Sequence, residues 1–142
     1  MTSTTPPLVY AVTGETKPGG DAAISARTSR IAFDGSAQAG DILPGPADLL
    51  CAALSACILK NVERFSQLLP FRYTAASIHV EAEREEQPPR IVRMRYVLRV
   101  VTDEPAHRVE LLHTNILKFG TITNTLKTAC ELHGEIVAES PV

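Results

Sequence analysis

Tryptophan is absent, and aromatic residues make up only 5% of the 142-residue chain. There is thus no obvious platform for stacking bases. Charge of neither sign is in excess: 14 Lys and Arg stand against 16 Asp and Glu, for a net charge of -2 and a pI near 6.1. No long single-sign block occurs, so the usual electrostatic argument for a nucleic-acid partner fails. The three cysteines are an odd number and include no CxxC pair, which argues against a disulfide framework or a structural zinc site. The histidines at 79, 107, 113 and 133 show no HxH or HxxxH spacing. No metal and no cofactor is expected. The start of the chain lacks a basic segment followed by an apolar run, so no signal peptide is read there. The apolar stretch from Asp48 to Leu69 is interrupted by Lys60, Asn61, Glu63 and Arg64, so no membrane partner is expected. A cytoplasmic location follows as the expectation, and there thiols stay reduced.

What the chain does have is apolar content: 44% of its residues, enough to bury a core. One domain over residues 1–142 is expected, with residues 1–7 flexible. Leu8 to Thr13 is apolar and β-branched and reads as a first strand ending at Gly14. Ala22 to Thr28 and Ser29 to Phe33 read as two short strands or one bent one. After a Gly- and Pro-rich loop, Pro46 opens a helix, where its missing N–H costs little. Leu50, Ala53, Leu54, Cys57 and Asn61 share one helical stripe. Other apolar residues cover much of the rest, so the first three turns are apolar nearly all round and this long helix is expected to be central and buried. Pro70 stops it.

Ala76 to Glu83 and Val92 to Val100 alternate with period two, as strands with one wet face do. The acidic outer face of the first can pair with the basic outer face of the second. Asp103-Glu104-Pro105 reads as a helix start with proline at the first helical position. Val109, Leu112, Ile116 and Phe119 form its apolar face. A further short helix is expected with Leu126, Ala129, Cys130 and His133 on one side, ended by Gly134, and Glu135 to Ala138 as the last strand. The order is βββ-α-ββ-α-α-β, and the fold class is α+β.

Cys51 and Cys57 lie six apart on one helix, a rise of about 9 Å. That exceeds the roughly 7 Å limit for a disulfide. A cysteine in such a position is ordinarily a small hydrophobe, and Cys51 and Cys130 are read so. The context of Cys57 differs. The run Gly45-Pro-Ala-Asp-Leu-Leu-Cys-Ala-Ala-Leu-Ser-Ala-Cys57 resembles the central-helix motif of the OsmC/Ohr family. Thr123-Asn124-Thr125-Leu126, preceded by Lys118, is similar to that family's Ser-Asn-Thr-Leu run. The element order agrees over nearly the whole chain.

The resemblance implies an intertwined homodimer with packed central helices and two interfacial active sites. It implies a peroxidatic cysteine, matched by Cys57, which takes an oxygen atom from an organic hydroperoxide or hydrogen peroxide. The resulting sulfenic acid would then condense with a second cysteine. The nucleophile is a thiolate, so a basic group and a carboxylate are expected near it. This chain departs from the pattern. The resolving-cysteine slot is Gly120. The acid ten residues before the peroxidatic cysteine is replaced by Ala47, with Asp48 one residue on and about 100° further round the helix. Arg27, Arg30 and Lys17 are candidates for the activating base. Cys130 would lie about 15 Å from the Gly120 slot if the stretch between them were helical.

The expected function is a thiol peroxidase of the one-Cys type acting through Cys57, with an external thiol as reductant. The alternative is a non-peroxidatic OsmC-like dimer that binds a small apolar or thiol-bearing ligand at its interface. A third reading, a purely structural domain, explains less, because a dimer core already accounts for the apolar helix.

Overall fold

The computed structural model describes residues 5–38 and 40–142. The chain divides into two compact units, residues 1–49 and 50–142. The expectation for residues 1–7 therefore falls largely outside the described residues.

The first unit is an antiparallel sheet in the order β1-β2-β3, from β1 (Thr13–Thr16), β2 (Asp21–Ala26) and β3 (Ser29–Asp34). The expected first strand, Leu8 to Thr13, is corrected by the ladder. Pairing begins at Thr13 opposite Ser25 and continues through Gly14 to Thr16. Leu8 and Val9 have strand propensity but lie outside that ladder, and they are 82% and 83% exposed. Propensity without a partner does not make a strand. The two readings for residues 22–33 resolve into two strands. Arg27 sits between them at φ 54, a left-handed turn position that reverses the chain. Asp34 closes the unit's long loop, accepting from the Ser36 and Gly40 amides at 3.0 and 2.8 Å. These bonds, with one from the Ser36 hydroxyl, hold its carboxyl below the usual range.

Helix α1 runs Pro46–Leu68. It is followed by β4 (Ala75–Glu86), β5 (Pro89–Val101), α2 (Ala106–Phe119), α3 (Thr121–Leu126) and β6 (Glu131–Glu139). The element order is the one read from the sequence. In the second unit β5 is the middle strand. It pairs antiparallel with β4 and parallel with β6, and the parallel pair requires the crossover that α2 and α3 supply. Alternation sends Met94, Tyr96, Leu98 and Val100 into the core. There they join Leu54, Ile58, Val62 and Phe65 of α1 and Val109, Leu112 and Ile116 of α2. On the other face the expected charge pairing forms. Glu83 lies opposite Arg93 in the register, and Arg93 bridges Glu83 and Glu131 at 2.5 and 3.0 Å.

Five expectations are corrected here. Helix α1 is not buried all round, since Ala52, Ala56 and Lys60 are exposed; its buried stripe is Leu54, Ile58, Asn61, Val62 and Phe65. Pro105 is the N-cap of α2 rather than its first helical residue. The apolar face of α2 takes in His113, while Phe119 is 48% exposed. The third helix ends at Leu126, and Cys130 sits at a bend just before β6, so the helical displacement assumed for Cys130 does not apply. Gly134 lies inside β6 opposite Tyr96. A Cβ there would stand 1.9 Å from the Tyr96 ring. This glycine marks a close approach within a strand, not a helix end.

Candidate active site

Cys57 lies in the fourth turn of α1, half-buried beside the core stripe. Its sulfur faces the junction of α2 and α3. A Cβ placed on Gly120 would stand 3.2 Å from Cys57 Sγ. Gly120 is held there by local bonds: its amide donates to Ile116 O at 3.1 Å, and its carbonyl accepts from the Asn124 amide at 2.9 Å. Thr123 packs into the same space, 1% exposed, with its hydroxyl donating to Gly120 O at 3.1 Å. Its Oγ1 is 2.1 Å from the position a Gly120 Cβ would take. The slot beside the thiol is thus filled by the Thr123 side chain.

Asn61, one turn beyond Cys57, completes the cluster. Its Nδ2 donates to Cys57 O at 2.8 Å and lies 3.7 Å from Cys57 Sγ. The sequence placed Asn61 in the helical stripe but assigned it no role. The signal was its i+4 spacing from the thiol, which stacks the two side chains on one face. Phe119 follows on the α2 side, its ring 5.6 Å from that of Phe65, with the Lys118 ammonium 5.3 Å from the Phe119 centroid. Cys130 is bonded elsewhere, its Sγ 3.6 Å from Leu126 O. None of the three cysteines is in a disulfide.

The remaining candidates belong to the first unit. Asp48 accepts the Gly45 amide at 2.9 Å, which employs its carboxylate at the start of α1. Arg30 pairs with Glu15 at 2.8 Å across the small sheet. Arg27 occupies the β2–β3 turn, and Lys17 the β1–β2 turn, where its carbonyl accepts from Gly20. Among the described residues no three His, Cys, Asp or Glu gather as metal ligands would, and no helix is long and apolar enough to cross a membrane. A groove of about 730 Å³ borders Glu63, Phe71, Arg72 and Tyr73; neither Cys57 nor Gly120 lines it.

The helix-borne thiol and the α2–α3 junction fall within one stretch, residues 38–133, that matches the family model described as OsmC-like protein. The chain belongs to the OsmC/Ohr family. No curated protein sequence matches it. Among solved structures, this OsmC-like chain is similar to an OsmC-like protein from Mycoplasma pneumoniae, at 12% identity and a TM-score of 0.84, over 92% of this chain and 97% of that one. It is also similar to an organic hydroperoxide resistance protein from Elizabethkingia anophelis, at 10% identity and a TM-score of 0.75, over 93% and 99%. A third is the organic hydroperoxide resistance protein OhrB of Bacillus subtilis, at 15% identity and a TM-score of 0.68, over 90% and 98%. At these identities the likeness establishes the shared fold.

Proposed function

We propose that this OsmC-like chain is a thiol peroxidase that reduces organic hydroperoxides or hydrogen peroxide through Cys57, without an internal resolving cysteine. The observation that carries the reading is the 3.2 Å approach of Cys57 Sγ to the position of a Gly120 Cβ. That spacing suits the Cβ of a disulfide partner, and the absence of a thiol there supports the one-Cys reading. The names of the hydroperoxide resistance neighbours support the substrate class.

In the first step the Cys57 thiolate attacks the terminal peroxide oxygen. The O–O bond breaks, an S–O bond forms, and the alkoxide leaves and takes a proton. Cys57 is then a sulfenic acid, and the organic hydroperoxide has become an alcohol, or hydrogen peroxide water. An external thiol displaces the hydroxyl as water and forms a mixed disulfide, and a second thiol releases Cys57 and leaves as the external disulfide. The reading includes a homodimer, for which the exposed Leu8, Val9, Tyr10 and Val12 offer an apolar surface.

The test is exposure to cumene hydroperoxide with a sulfenic-acid trap, followed by peptide mass spectrometry. Cys57 is expected to be trapped well before Cys51 and Cys130, and Cys57→Ser to abolish peroxide consumption. Equal labelling of all three cysteines refutes the reading. Sedimentation is expected to give about twice the 15.4 kDa chain mass.

One observation favours the second reading, a non-peroxidatic dimer that binds a small apolar or thiol-bearing ligand. Asp48 and Arg30 are each already engaged, by Gly45 and Glu15. The pH profile of Cys57 alkylation separates the two. An apparent pKa well below the free-cysteine value of about 8.5 supports the peroxidase.

A further inference from the structure

Asn61 is only 8% exposed, and its buried companions on α1 are Leu54, Ile58, Val62 and Phe65. A carboxamide among such neighbours costs free energy unless its groups are paired. Its orientation is fixed by chemistry. The end that meets Cys57 O at 2.8 Å must be the nitrogen, because a carbonyl only accepts. That nitrogen carries two hydrogens, and one is spent on the carbonyl. Cys57 Sγ stands 3.7 Å from the same nitrogen, within reach of the other.

Two neighbouring donors have partners of their own. The Thr123 hydroxyl gives its hydrogen to Gly120 O, and the Gly120 amide gives its own to Ile116 O. From the packed helix α2, the Lys118 ammonium is drawn over the Phe119 ring. On α1 the adjacent charge, Lys60, is at an exposed position.

We infer that Asn61 is a catalytic residue, the N–H donor that holds the Cys57 sulfur and favours its thiolate. A hydrogen bond to a charged acceptor is about twice as strong as to a neutral one, so a donor placed here holds the thiolate more firmly than the thiol. Because the carbonyl bond anchors the carboxamide to the helix one turn back, the donor is preorganised rather than recruited. The inference rests on the reading of Cys57 as the reactive thiol.

The experiment is the pH–rate profile of Cys57 alkylation by iodoacetamide, read at peptide level, in wild type, Asn61→Leu, Asn61→Asp and Asn61→Gln. Asn61→Leu is near in volume and lacks the donor. It is expected to raise the apparent pKa by about one unit, a roughly tenfold loss of rate on the acid side. Asn61→Asp places a carboxylate there and is expected to raise it further, whereas Asn61→Gln, which keeps a donor, recovers part of the loss. A folded Asn61→Leu whose profile superimposes on wild type overturns the inference. Should Asn61→Leu not fold, the wild-type protein still decides. The Asn61 side-chain amide resonances are expected to shift through the Cys57 titration, and resonances that stay flat refute the contact. Wild-type Cys57 that resists hydroperoxide while the Asn61 variants still shift its alkylation profile sinks the peroxidase reading, and with it the catalytic role, but leaves Asn61 as the donor to the Cys57 sulfur.

Discussion

Placing a second sulfur at position 120 probes the approach of the α2–α3 junction to Cys57. In a disulfide with an S–S bond of about 2.05 Å, the Cβ of one partner lies about 3.0 Å from the sulfur of the other. The Gly120 position already gives 3.2 Å to Cys57 Sγ. Two atoms obstruct the new side chain. Thr123 Oγ1 would be 2.1 Å from its Cβ, and Ile116 O 3.0 Å. The carbonyl contact is tight, and the Thr123 contact cannot stand. Gly120→Cys alone is therefore expected to lower the stability of the reduced protein by about 1–3 kcal/mol through overpacking. Adding Thr123→Ala clears the site, at about 1 kcal/mol for the lost bond to Gly120 O.

Oxidation of the double variant then closes a long loop between α1 and the α2–α3 junction. The chain-entropy relation gives about 4 kcal/mol for a loop of that length. The oxidised protein is thus expected to melt about 10 °C above its own reduced form. Mild oxidation with glutathione disulfide, intact mass, thiol titration and thermal denaturation read the outcome. The expected result is a loss of about 2 Da, two thiols masked, and reversal by dithiothreitol. A folded double variant whose thiols all remain titratable refutes the geometry assigned to Cys57. A disulfide from the new thiol to Cys51 or Cys130 refutes it equally.

Gly134→Ala is expected to destabilise by about 3 kcal/mol or more, because its Cβ would fall 1.9 Å from the Tyr96 ring; urea denaturation measures it, and a neutral effect refutes the close approach. His113 is buried against Tyr96, with its Nε2 2.7 Å from the phenol oxygen. Burial lowers its pKa from 6.5, with Glu110 opposing, and pushes Tyr96 up to about 12. The unfolded chain then takes up this proton at a higher pH than the fold does. The stability from this site is full above about pH 6.5 and is lost as the pH falls toward the lowered folded value; urea midpoints follow it, and His113→Gln should flatten the slope. Arg93→Gln, at an exposed cluster with Glu83 and Glu131, is expected to leave the melting temperature nearly unchanged, with any loss vanishing at high salt.

Where periodicity extended over many residues, the sequence was enough. Ala76 to Glu83 and Val92 to Val100 alternate, and the charge pairing read across them is seen where Arg93 meets Glu83; the register itself, with its shift between Glu83 and Arg84, was not legible. Helix α1 was legible from Pro46 to its stop near Pro70 for the same reason. What failed was local and depended on a partner. Leu8 to Val12 has the composition of a strand, but the ladder with β2 begins only at Thr13. Gly134 looked like a helix end because glycine serves there often, and only the Tyr96 ring, forty residues away in sequence, explains it. At the site, Cys57 and the Gly120 slot came from motif resemblance. Asn61 did not, since an asparagine in a stripe carries no mark of what its second hydrogen meets.

Gly120 and Thr123 are better understood as one packing solution than as two independent residues. Thr123 holds its hydroxyl 2.1 Å from where a Gly120 Cβ would stand, is 1% exposed, and is tied to Gly120 O. The two positions now depend on each other. A larger residue at 120 meets Thr123, and a smaller residue at 123 opens the space next to the sulfur. One substitution therefore cannot place a second thiol there without strain, whereas two can. The single Gly120→Cys variant should be less stable when reduced than the double variant, although it carries fewer changes. That inversion is particular to a shared slot: independent sites would give additive losses, with the double variant the weaker.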